Sequence, residues 1–438
     1  MFRGILGVYK NIFKIFSLDA WLLIFLVPPA LFSIQVYFRH ATTQFGISCF
    51  AVLLILIVYI LFDYHARRNN INTAEHYKRK IILVISLISI FLLIGLIVVF
   101  DQSRHPKYEN IHDEIMVTES AIKYFVQWQN PYTEDYFNTP LELHQKYRSI
   151  IVMDSVRVFN PAFFHYAYLP AQFILPSPLY LFLTNTFHWY DHRFFYFICV
   201  LIILLILYKM VKDNRRKLLT LILFFFCPSF FFYLLFGFND LQVLLLLLIC
   251  LYFLRRKKII LSAIFLALAL VSKQSTIIFV PFYLLYLLGD NNKIAKVNHF
   301  RKVLFPTLLI FIIVVAVILP FIIWDKNSFI DDVLYFVSGK SSTSYPINGV
   351  GFSNLIYQAH LVNSVNDYYP FIIWQLVITI PIMIYLIIKQ LKDNSLKRLI
   401  LNYALTLFVF WFFSRYFFNT HMMYIACFLP VAYFIEPS

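Results

Sequence analysis

Apolar runs of roughly 17–22 residues recur along this chain, separated by short connectors rich in Lys and Arg. A helix of that length crosses a hydrocarbon core about 30 Å thick. Lipid offers no partner for a free backbone N–H or C=O, so each crossing segment must satisfy its own groups, as a helix does. A barrel would need short alternating strands, and these runs do not alternate. The chain therefore reads as an all-α polytopic membrane protein. Composition agrees, with 61% of residues hydrophobic and only 13% charged, against about 25% charged in soluble domains.

Candidate spans fall at about 20–38, 46–63, 80–100, 193–209, 218–235, 241–254, 259–272, 275–289, 303–324, 371–389, 398–413 and 419–435, a bundle of about 12 helices. Basic clusters orient them: Arg67–Arg68 with Lys78–Lys80, Lys209–Lys217, Arg255–Lys258, Lys293–Lys302 and Lys389–Arg398. Placing all of these in the cytoplasm yields one consistent topology with both termini inside. The formal charge of +15 is then a set of topology determinants, and nucleic acid is not an expected partner. Cys49, Cys199, Cys227, Cys250 and Cys427 lie mostly in apolar runs without CxxC spacing, so neither a disulfide framework nor a metal site is indicated. The start, MFRGILGVYKNIFKIF, reads as a basic amphipathic lead-in to the first span, without a cleavable-signal pattern.

Three regions follow: N-terminal spans (1–100), a long external loop (101–192) and the remaining bundle (193–438), which carries a second external loop at about 325–370. Parity keeps Ala171–Phe187 in the interface, since a crossing there would turn every later basic cluster outward. Parity also makes 259–289 cross twice, with Ser272–Ser275 at the outer turn. Chemistry is therefore expected on the external face.

The first loop is rich in acid, aromatic residues and proline together. Asp113 and Glu114 open a helical pattern in which Ile115, Ala121, Ile122 and Phe125 share a face. An ordinary N-cap would explain Asp113, and so would a general base for an incoming hydroxyl. Asn239 and Asp240 open a strongly apolar span, where an acid is costly unless paired or set in a polar cavity. Lys273 lies in an outer turn, as does Arg415, with His421 and Tyr424 nearby. Snorkelling to headgroups explains one such cation; two beside two acids suit the phosphate of a lipid-linked substrate. Gly339–Asn354 is rich in Gly and Ser but matches no phosphate loop, and reads equally as a lid or a plain connector.

Several stretches resemble one superfamily. HDEIMVTESA (His112–Ala121) is similar to the acidic motif in the first external loop of the GT-C polytopic glycosyltransferases, which include protein mannosyltransferases, aminoarabinose transferases and polyprenyl-phosphate-mannose-dependent transferases. QNPY (Gln129–Tyr132) resembles their Gly-x-Asn-Pro-Tyr element, with Gln127 standing where glycine is usual. HYAYLPAQFILPSPLYLFL (His165–Leu183) looks like their Tyr-Pro-Pro-Leu interfacial helix, and DHRFFYF (Asp191–Phe197) like the Arg that opens the next span. Asp240 falls where a second loop acid is found. ALALVSKQSTIIFVPF (Ala267–Phe282) is similar to a segment that places Lys273 and Pro281 in family positions. Two extra spans precede the usual first one.

The resemblance implies a GT-C-like bundle and an inverting transferase, in a bacterial inner (plasma) membrane, that moves a sugar from a polyprenyl-phosphate donor to a glycan, lipid or protein acceptor. Asp113 would be the base, with Glu114 and Asp240 shaping the acceptor site. Lys273 and Arg415 would hold the departing phosphate, and Asn130, Tyr132, Asn239, His421 and Tyr424 would supply further contacts. No cofactor is expected; a divalent metal at Asp113 and Asp240 is left open and not favoured. The rival class is a lipid or solute transporter or flippase of the cell envelope. Inverted repeats and Gly-rich broken helices mark that class, whereas this chain has 9 Gly and no visible repeat. A non-catalytic scaffold of the same shape is the third reading.

Overall fold

The computed structural model describes residues 15–38, 42–104, 111–153, 156–227, 229–289 and 297–435. The lead-in Met1–Phe16 lies almost wholly outside them, as does the start of the Lys293–Lys302 connector. A helix occurs at every expected span. By length and composition, five of them can cross a membrane among the described residues: 43–68, 74–102, 192–210, 303–324 and 371–392. A sixth is gained if Asn214–Phe225 and Phe230–Phe236, bent by 48°, count as one span. The expected twelve spans are thus not all found. Helices such as Leu18–Ser33, Asp240–Arg255 and Ile259–Leu270 have 16, 16 and 12 residues, or about 18–24 Å at 1.5 Å per residue.

The chain forms two compact units. The first holds residues 1–110, 204–236 and 433–436. Its helices Leu18–Ser33, Thr42–Arg68 and Ala74–Arg104 pack on Leu23, Val27, Val52, Leu56, Val84 and Leu87, all buried. Lys80, read above as a cytoplasmic determinant, is instead buried within this unit. Its ammonium lies 2.6 Å from Asp19 and 2.5 Å from Asp63, and it also donates to the Ser17 hydroxyl at 3.1 Å. Tyr59 donates to Asp19, and Ser17 caps Asp63 through both its amide and its hydroxyl. A charge in an apolar interior survives only when paired and hydrogen-bonded, and here every donor of the ammonium is used.

The second unit holds residues 111–203 and 237–432. In its first loop, the Asp113–Val126 helix is followed by the short Pro140–His144 helix. An antiparallel hairpin comes next, Tyr147–Ile150 against Val156–Phe159. Ala171–Phe187 is broken at Leu175–Pro176, and its longer part, Ser177–Phe187, has 11 residues. That is about 16 Å, too short to cross. The second loop docks on the first. Asn348–Gly349 pairs in parallel with Tyr416–Phe417, and the Asn348 side chain accepts from Ile151 N–H and donates to Ser149 C=O. Ile150, Val152, Ile347, Ile356, Val365 and Phe371 then close a small apolar core. Gly339–Asn354 is therefore neither a free lid nor a plain connector.

Candidate active site

The acidic helix is positioned by its own first turn. His112, extended at φ −72° and ψ 145°, is the N-cap, with Nδ1 3.2 Å from the Glu114 amide nitrogen. Asp113 is the next residue, so the cap explanation belongs to His112, and the Asp113 carboxylate is left for other partners. Ile115, Val117, Ala121 and Ile122 are buried along the same helix. Gly237, at φ +88°, lets the next loop close on this helix; a Cβ there would fall 1.6 Å from Ile115 Cδ1. At the other end, the left-handed residue is Trp128 (φ +60°), not Gln127. Counting back from Tyr132, Trp128 occupies the glycine position of Gly-x-Asn-Pro-Tyr, which corrects the register given above. A left-handed residue after a helix is usually Gly because Cβ is crowded there.

Asp113 sits in a cluster of hydrogen-bond donors. His112 Nδ1 lies 2.9 Å from one of its oxygens; Asn160 Nδ2 donates to the other at 3.0 Å, with Arg148 Nη1 at 3.4 Å. Burial works against the charged carboxylate, but Arg148, then His112 and Asn160, outweigh it and hold Asp113 far below the usual range. Burial likewise opposes the His112 imidazolium, and Asp113 and Glu114 raise it above its ordinary value. Arg148 comes from the hairpin and stacks over the Tyr345 ring at 4.4 Å. Reading motifs missed it. Its one signal was an arginine in a loop that the expected topology places opposite the other basic clusters.

Asp240, the first residue of its helix, is ion-paired with Lys273. The Lys273 ammonium also lies 5.5 Å from the Trp411 ring and 5.6 Å from the Phe238 ring. Glu114 accepts from the Asn239 amide at 3.3 Å, which ties the two acidic segments together. Arg415 donates to three backbone carbonyls, of Tyr345, Asp367 (2.8 Å) and Val365 (3.0 Å). Burial pushes it down to about 10, so it stays cationic at neutral pH. Gly339, at φ +91°, gives the guanidinium its room, since a Cβ would lie 2.4 Å from Nη1.

These groups face one cavity of about 500 Å³. His112, Asp113, Glu114, Arg148, Lys273, Arg415 and His421 line it together with Val333, Leu334, Phe336, Phe371, Phe410 and Trp411. Asp240 stands behind Lys273. Asn130, Tyr132, Asn239 and Tyr424 are not in the lining: Tyr132 donates to the Tyr168 carbonyl amid an aromatic core, and the Tyr424 hydroxyl meets Tyr403 at 3.2 Å. The three acids do not gather around one point. Among the described residues, the three-residue group close enough to share an ion is His165 with Asp331 and Asp332.

Long apolar helices around an acid, its cations and a largely apolar chamber mark an integral membrane protein. Residues 179–324 match the family model described as dolichyl-phosphate-mannose-protein mannosyltransferase, a GT-C-type glycosyltransferase domain. The resemblance seen in the sequence is thus shown, and the match supports a membrane glycosyltransferase of mannosyltransferase-like kind. It covers about a third of the chain, including Asn239, Asp240 and Lys273 but neither Asp113 nor Arg415. No curated protein and no solved structure matches the chain.

Proposed function

We propose that the chain is an inverting transferase that moves a sugar from a polyprenyl-phosphate donor to an acceptor hydroxyl on the external face of a bacterial inner membrane. The observation that carries the reading is the cavity itself, where the Asp113–Arg148 pair meets an apolar, aromatic lining. The lipid-proximal part of the donor has apolar surface to lie on, and its phosphate has cations to meet. In the step, the acceptor O–H gives its proton to Asp113 while its oxygen attacks C1 of the sugar. The C1–O bond to phosphate breaks on the opposite face, and polyprenyl phosphate leaves. Fixed cations act most strongly on charge that develops in such a step.

The pairing of Asp113 has a consequence for basicity. A carboxylate held by Arg148 is a weak base. A donor phosphate that draws Arg148 toward itself raises the basicity of Asp113 when acceptor and donor are both in place. Lys273 is the second candidate for the phosphate, at the cost of loosening Asp240. Arg415 has three of its donors engaged by carbonyls, so it shapes the loop around the phosphate and has two N–H groups left for contact.

The test is a transfer assay on purified protein in lipid with a panel of polyprenyl-phosphate sugars, comparing the parent with Asp113→Asn. Consumption of one donor by the parent, with the variant nearly inactive yet still binding, supports the reading. Equal turnover by both proteins removes Asp113 as base. Absence of donor binding, with lipid or solute movement across vesicles, turns the reading toward a transporter.

A further inference from the structure

Two consecutive aspartates reach the same histidine. Asp331 and Asp332 open a five-residue π-turn, Asp331–Tyr335, in the second external loop, and His165 comes from the first. Single π-turns recur at functional sites. His165 Nδ1 lies 2.7 Å from Asp332 Oδ1 and 3.6 Å from Asp331 Oδ2. The three ligand atoms all lie within 4.8 Å of one another. His165 and Asp332 are buried, Asp331 is partly open, and His165 lines the cavity, so solvent can reach the group.

Two observations bear on a cation here. Two carboxylates meet one imidazole, and among the described residues no Lys or Arg forms an ion pair with either of them. The second concerns the far side of the ring, where Nε2 lies 2.6 Å from the Thr343 hydroxyl. In the tautomer whose Nε2–H donates to Thr343, the Nδ1 lone pair faces the two carboxylates and can take a cation between them. A partner on the second ring nitrogen is how metal-bound histidines are usually held. Both carboxylates are also held in place: Asp332 Oδ2 accepts from Tyr166 N–H at 2.8 Å, and Asp331 Oδ2 from the Ser341 hydroxyl at 3.0 Å.

We infer that His165 Nδ1, Asp331 and Asp332 bind one divalent transition-metal ion that fastens the second external loop to the first. One imidazole and two carboxylates suit Zn²⁺, with water in the open position, and Mn²⁺ next. The ion neutralises both carboxylates. The inference is independent of the transferase reading and places the ion away from Asp113 and Asp240.

The experiment uses the full chain, stripped with EDTA in detergent and titrated with Zn²⁺ and with Mn²⁺ by calorimetry, with melting followed in parallel. The expected result is one ion per chain and a Tm that rises with metal. Affinity should fall at least about tenfold in Asp331→Asn and in His165→Gln. Asp331 is partly exposed, so its variant is expected to fold and to keep the metal-free Tm of the parent. Zn²⁺ binding of equal affinity in Asp331→Asn and His165→Gln would place the ion elsewhere and overturn the inference. So would a parent that binds no ion, with a Tm indifferent to metal; the group would then be a protonated histidine holding two acids.

Discussion

Two regions of the molecule are built from the same materials and come to opposite ends. In the first unit, Lys80 meets Asp19 and Asp63 with Tyr59 and Ser17 around them; in the second, Arg148 and His112 meet Asp113 with Asn160 beside them. Lys80 is sealed, with every donor spent on a partner inside the unit. Arg148 and Asp113 are also mostly buried, but both line a cavity. A sealed knot can only hold helices together, whereas a knot with an open side can exchange one partner for a substrate. On the proposed reading, access, not charge, separates structure from chemistry.

The comparison can be broken from either end. Asp113→Asn should lower transfer by about 10²–10⁴-fold, the usual worth of a positioned base, with Tm nearly unchanged; a variant that melts early and transfers normally would make Asp113 structural, like Asp63. Lys80→Met should do the reverse. Removing one partner of a buried ion cluster costs about 3–5 kcal/mol, which a melting curve in detergent reads directly, while turnover per folded molecule stays the same. Loss of turnover at unchanged stability would show that the sealed knot is not merely structural.

Arg148→Gln sharpens the contrast. It should cost about 10²-fold in transfer, the scale for losing one charge-stabilising group. Without the guanidinium the Asp113 carboxyl rises toward its ordinary range, so the acid limb of the pH–rate profile moves to higher pH. An unmoved limb would separate Arg148 from Asp113. The smallest effect is at Glu119, which accepts from the His192 amide at 2.6 Å. Burial, then Asp191, pushes its carboxyl from 4.5 up to about 8. The folded state thus holds this proton more tightly than the unfolded chain. Its contribution is complete below about pH 4.5 and is lost as pH rises through about 8. Glu119→Gln should flatten the fall of Tm across that window.

The fold was legible wherever a single period carries the information. Each expected span coincides with a helix because apolar length needs no knowledge of neighbours. The number able to cross was not legible, since several of those helices are cut short by turns that composition does not mark. Asp113, Glu114, Lys273 and Arg415 were found as unusual charges on one side of the bundle, and they do meet at one cavity. Asn130, Tyr132, Asn239 and Tyr424 were chosen for nearness in sequence, and packing turns them away from the lining. Trp128 in place of glycine shows the limit of motif counting: the left-handed turn is kept although its residue is not glycine.

Sequence alone determined an all-helical membrane chain, the long loop that carries Asp113 and Glu114, and the likeness to GT-C transferases, because hydrophobic length and local motifs are written along the chain. Tertiary structure alone decided which charges answer which. Asp113 meets Arg148, Asp240 meets Lys273, Lys80 is withdrawn from the surface count, and His165 meets two aspartates 166 and 167 residues away. The physical reason is that an ion pair depends on distance and desolvation, and both are set by how helices and loops dock, not by position in the chain.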